Sequence, residues 1–169
     1  YGSVGSLNMA DVSRLMPTLD SDQHKLAIAG GLLLFVVFGI KAAMLPVGFW
    51  LPKTYAVAST PVAAIFTIMT KVGIYAILRV NGTVFDDAMA QSIFKNCLLM
   101  IGLITSFYGV IGAIAAERLR RFVGFMVLSS IGTLLIAIAM LNTQAWSAAL
   151  YYLVHSTLIA AAFYLFCGW

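Results

Sequence analysis

The sequence runs to 169 residues, of which 62% are hydrophobic and 9% charged, with a mean hydropathy of +1.00. A soluble domain has roughly 45–50% apolar and about 25% charged residues, so that class is excluded and an integral membrane protein is indicated. The net charge of +4 comes largely from one short loop, which bears on orientation in a lipid bilayer and speaks against nucleic acid as a partner.

Residues 1–25 carry Asp11, Arg14, Asp20, Asp22 and Lys25 and read as a loop or short interfacial segment. The opening YGSVGSLNMADVSRL is polar and lacks the apolar stretch behind basic residues that marks a signal peptide. Five apolar segments follow, at about 26–45, 62–80, 92–116, 121–141 and 146–168. Each is near the ~20 residues that cross a bilayer, where a helix satisfies its own backbone polar groups. The expected fold is therefore all-α, a polytopic bundle of five transmembrane helices over residues 26–169. Polar linkers separate them: NGTVFDD at 81–87, ERLRR at 117–121 and NTQ at 142–144. The three arginines of ERLRR place that loop in the cytoplasm, which puts residues 1–25, NGTVFDD and NTQ on the extracytoplasmic side. The first residue is not methionine and Trp169 closes a helix, so an internal piece of a longer protein is expected.

Within the first span, FGIKAAMLPVGFWLP (38–52) sets Lys41 in apolar surroundings. Pro46, with Pro52 and Pro61 after it, marks a helix break, and Gly48 adds to it. If the helix simply ends at Pro46, Lys41 lies about 7.5 Å from that end and can snorkel to the interface. If instead 26–45 and a broken extension to 55 form one discontinuous span, Lys41 falls near the bilayer midplane, where transporters use broken helices for ion sites.

Lys71 stands near the centre of PVAAIFTIMTKVGIYAILRV, too deep to snorkel, at a cost of about 2.5–3.5 kcal/mol on the lenient insertion scale. Thr67 and Tyr75, four residues either side, are expected on its face. The alternative is a lysine pinned to backbone carbonyls for packing alone. Burial alters the proton affinity of a lysine, so that it can take up and release a proton near physiological pH.

In the third segment Gly102, Ser106, Gly109 and Ala113 form a stripe that admits a neighbouring helix. In the fourth, Ser129 and Thr133 make a modest polar face. His155 lies midway along ALYYLVHSTLIAAAF, with Tyr151, Tyr152 and Ser156 on or near its face. It reads either as a hydrogen-bonded packing residue or as a proton carrier, since imidazole titrates near neutral pH. No Asp or Glu stands at depth. Glu117 is at a helix end beside arginines, so a counter-charge must come from the rest of the protein, a partner subunit or water. Cys97 and Cys167 have no paired spacing and suggest neither a disulfide nor zinc. With no phosphate loop, catalytic triad or dinucleotide fingerprint in the sequence, no cofactor or metal is expected and an enzyme is not indicated.

The stretch GIKAAMLPVGFWLPKTYAVASTPVAAIFTIMTKVGIYAILRV closely resembles the core of the antiporter-like membrane subunits. These are shared by NADH:quinone oxidoreductase (complex I) and the Mrp-type multisubunit cation/proton antiporters. ALYYLVHSTLIAAAFYLF is more similar to the D-type subunit of the Mrp (also Mnh or Pha) antiporters, and the resemblance covers essentially the whole sequence. It implies a fragment of about a third of a subunit with some fourteen helices. It also implies a proton-translocating role in a Na+(K+)/H+ antiporter of the bacterial inner membrane, with other antiporter subunits, the lipid bilayer, protons and Na+ or K+ as partners. Lys41 matches the family's lysine on the broken helix, paired there with a glutamate that this sequence does not contain. Lys71 matches the relay lysine on the next helix and His155 the histidine of the central polar axis. Two positions depart from the pattern. Lys53 follows WLP where many members have aspartate, and Ile159 stands where several complex I subunits and the large Mrp subunit have lysine. A membrane-arm subunit of NADH:quinone oxidoreductase is the alternative function, and a non-conducting structural subunit is a third.

Overall fold

The structure, a computed structural model, describes residues 2, 4–84 and 88–168, without the side chains of 81–84 and 88–93. It is all-helical among these residues: α1 (Met9–Leu15), α2 (Ser21–Ala42), α3 (Trp50–Val57), α4 (Thr60–Val84), α5 (Ala88–Ile114), α6 (Leu119–Ala139) and α7 (Thr143–Phe166), with 3-10 turns at Met16–Thr18 and Val47–Phe49. Five segments are long and apolar enough to cross a membrane, the first of them the composite Ser21–Val57.

Most of the helices begin further into the polar segments than hydropathy suggests, and at α1, α2 and α7 the cause is a side-chain cap. Residues 1–25, expected as a loop or short interfacial segment, contain α1, whose Asn8 side chain accepts from the Ala10 amide, and the first turn of α2, capped by Asp20. Asn142 of the NTQ linker accepts from the Gln144 amide and starts α7 within that linker. In ERLRR, α6 already begins at Leu119. Of the expected NGTVFDD linker, 81–84 continue α4, and 85–87 lie outside the described residues. A side-chain oxygen on an orphan N–H stabilises a helix start. Asn142→Ala is accordingly expected to cost about 1 kcal/mol, read as a lowered thermal unfolding midpoint of the purified complex.

The centre of the bundle is α6, buried on most of its circumference through Leu128, Ile131, Leu134, Leu135 and Ile138. It packs against α5 over most of its length and also against α3 and α7, while α4 lies between α2 and α7. The α5–α6 contact is backbone on backbone. A Cβ built on Gly109 would sit 2.5 Å from the Ser129 nitrogen, and one on Gly132 would strike the Ser106 nitrogen and the Gly102 carbonyl. The small-residue stripe of α5 thus admits α6, as its spacing predicts. On the outside, α2 and α7 bury only Gly39 and Ala42, and Ala149, Ala160 and Tyr164.

Candidate functional site

The first span is broken between Ala42 and Trp50. Ala43 adopts the left-handed conformation (φ 59°, ψ 38°), its amide donating to the Ile40 carbonyl and that of Met44 to the Gly39 carbonyl, which closes α2. Pro46 lies in the break and has no N–H to continue a helix. Gly48 is needed because a Cβ there would overlap the Ala43 carbonyl. The other two prolines expected at the break play a different part. Pro52 is the third residue of α3 and Pro61 the second of α4, first-turn positions where the missing N–H has no intrahelical partner to lose.

The two halves rest on different helices, α2 on α4 and α3 on α6. Gly73 of α4 lets the end of α2 approach, since a Cβ there would meet the Ala42 nitrogen at 2.9 Å and the Phe38 carbonyl at 3.1 Å. Gly124 of α6 seats Pro52 of α3, and the Arg120 guanidinium donates to the Ala58 carbonyl at the C-terminal end of α3 (2.5 Å). A cation is favoured at that helix end, so this arginine of ERLRR binds a helix as well as bearing on orientation.

Lys71 lies mid-span on α4, 1% exposed, and its Nζ donates to Ser130 Oγ on α6 at 2.5 Å. The Ser130 hydroxyl donates onward to the Val127 carbonyl at 2.7 Å, which turns a lone pair toward the lysine. An ammonium has three donors, and Ser130 is its one hydrogen-bond partner among the described residues. Thr67 and Thr70 are buried on the same side, their hydroxyls returned to the Ala64 and Thr67 carbonyls. Tyr75, expected on the lysine's face, is 43% exposed: four residues turn a helix by about 40° beyond a full turn, which carries Tyr75 to the opposite side of Lys71 from the buried Thr67. The polar residue of α6 that matters is Ser130. Thr133 is exposed with its hydroxyl on the Ser129 carbonyl, and Ser129 packs on α5.

Lys41 and His155 do not join Lys71. Both are exposed on the outer helices α2 and α7. His155 stacks on Tyr151 (centroids 6.2 Å apart, planes at 12°), and Tyr151 is itself 75% exposed. Tyr152 is half-buried against the core, and Ser156 bonds locally to the Leu153 carbonyl. No three His, Cys, Asp or Glu residues gather to hold a metal ion among the described residues.

Over its whole length, residues 1–169, the chain matches the family described as NADH:quinone oxidoreductase/Mrp antiporter, TM. The chain belongs to this family. Among its relatives within and around the NADH:quinone oxidoreductase/Mrp antiporter family is the D-type subunit of a probable K(+)/H(+) antiporter of Rhizobium meliloti (strain 1021). It is 41% identical over 167 residues, which make up 98% of this chain and 31% of the relative. The D-type subunit of the Na(+)/H(+) antiporter of Bacillus subtilis (strain 168) is 33% identical over 99% of this chain and 34% of its own length. A chain in the solved structure of the Mrp complex from Dietzia sp. DQ12-45-1b superposes with a TM-score of 0.85 at 31% identity, covering 99% of this chain and 30% of that one. The chain thus spans about a third of the length of the curated relatives it matches. The resemblance to the D-type antiporter subunits is borne out, and the protein is a multi-pass membrane protein.

Proposed function

We propose that the chain is part of a proton-translocating subunit of a multisubunit Na+(K+)/H+ antiporter in the bacterial inner membrane. In this reading it works as a transporter subunit and not as an enzyme. Lys41 takes up and releases a proton, Lys71 passes it along the membrane plane and His155 continues the line. The observation that carries this reading is Lys71, a lysine sealed at mid-span with one hydroxyl on it. Ionisable groups inside a membrane are costly and mark ion or proton pathways, and a packing role alone does not call for a group that titrates. The break beside Lys41 adds support, because irregular backbone at membrane depth belongs where a cavity or buried site exists. The exposed sides of Lys41 and His155 are then faces toward the remaining two-thirds of the subunit, from which the carboxylate partner of Lys41 comes. The names of the relatives favour cation exchange over the redox-driven alternative.

The test is the full-length subunit in its complex, reconstituted in liposomes under an imposed Na+ or K+ gradient. Proton movement in the opposite direction, with neither NADH nor quinone present, is the expected result. A complex that moves protons only on adding NADH and quinone would place it in the redox branch.

A further inference from the structure

We propose that Thr105 is a positioning residue for Lys41, its hydroxyl fixing the point at which the first span breaks. The proposal rests on the reading of Lys41 as a proton carrier. Leu45 lies four residues after Lys41, so in a continuous helix its amide would donate to the Lys41 carbonyl. It donates instead to Thr105 Oγ1, 60 residues away on α5, at 3.1 Å in a buried setting. The Thr105 hydroxyl is committed in turn to the Ile101 carbonyl at 2.6 Å, which leaves its lone pairs for the Leu45 amide. Bonds linked in this way reinforce one another. Of its neighbours on either side, Ala43 and Met44 donate back into α2, and Pro46 has no N–H.

Two ring contacts also tie α5 to the same span, one on each side of the break. Phe35 of α2 meets Phe94 edge-on (5.2 Å), and Phe49, beyond the break, meets Tyr108 (5.4 Å). With Leu45 on Thr105 between them, the three pairs keep an almost constant sequence offset, so α5 runs parallel to the broken span and crosses the gap unbroken. Thr105 stands near the middle of the α5 span Phe94–Ile114, which sets the break at mid-depth. By claiming the Leu45 amide, Thr105 anchors the chain just past the Ala43 turn that closes α2, with Lys41 in the last turn of that helix, at the end of negative partial charge. Without the hydroxyl, the Leu45 amide is left bare in an apolar setting or returns to the Lys41 carbonyl. In either case the chain after Lys41 loses its anchor on α5, and the end of α2 is free to shift against α4.

The experiment compares Thr105→Val, Thr105→Ala and Thr105→Ser with Lys41→Ala in the full-length subunit within its complex, measuring assembly and cation-driven proton movement per assembled complex. Thr105→Val and Thr105→Ala are expected to slow transport about ten- to hundredfold, as misplacement by about 1 Å does elsewhere, while Thr105→Ser stays within about twofold of wild type. A Thr105→Ser complex as slow as Thr105→Val overturns the proposal, since the hydroxyl is retained. So does wild-type transport in Thr105→Val or Thr105→Ala when Lys41→Ala is inactive, an outcome that leaves the role of Lys41 intact. If both hydroxyl-less variants fail to assemble, Thr105 serves folding alone and the proposal falls. Wild-type transport in Lys41→Ala removes the carrier itself, and both readings fail together.

Discussion

Lys71→Met in the full-length subunit is expected to leave the complex assembled and to lower cation-driven proton movement about a hundredfold or more, the scale on which a positioned proton-transfer group acts. Methionine replaces the buried stem at similar volume, so the packing of α4 against α6 is disturbed little. Ser130 remains satisfied, because its hydroxyl donates to the Val127 carbonyl whether or not a lysine faces it. What disappears is a group able to gain and lose a proton at mid-span. Lys71→Arg sharpens the test: arginine keeps the charge but does not give up its proton in a protein, so it too is expected to be slow. Normal transport in an assembled Lys71→Met complex would reduce Lys71 to a packing residue and end its role as a relay.

Gly132→Leu is expected to have the largest effect on stability. A Cβ at Gly132 meets backbone atoms of α5, the Ser106 nitrogen and the Gly102 carbonyl oxygen at 2.6 Å. Backbone cannot rotate aside as a side chain can, so α5 and α6 must move apart. In a bilayer this is serious, because lipid is as apolar as the helix surface and close packing is the main force holding helices together. Overpacking of this kind costs about 1–3 kcal/mol in soluble cores; Gly132→Ala is expected within that range, and Gly132→Leu beyond it, with failed assembly. The unfolding midpoint and yield of the purified complex report both. A Gly132→Ala complex with an unchanged midpoint would show that the two helices are not in the contact described.

The sequence by itself was enough for the class of protein, the number of spans and the depth of Lys71. Length sets which apolar runs cross a bilayer, Pro46 cannot continue a helix, and Lys71, near the centre of an apolar segment, has no interface to reach. The helix ends were less legible, since caps such as Asp20 and Asn142 start helices in polar residues that hydropathy assigns to loops. Azimuth was the quantity left to the tertiary structure. In a soluble helix the buried face is the apolar one, but in a membrane helix both lipid and neighbouring helices meet apolar side chains, so periodicity does not separate inside from outside. A step of one residue turns a helix by about 100°, which is why Ser129 and Ser130 look alike in sequence and only Ser130 reaches Lys71. For the same reason Thr70 is buried and Tyr75 is not, and Lys41 and His155, within apolar spans as Lys71 is, face away from it. The bond from Leu45 to Thr105 left no local trace at all. It depends on two segments lying side by side, and that proximity is set by glycine-mediated packing elsewhere in the bundle.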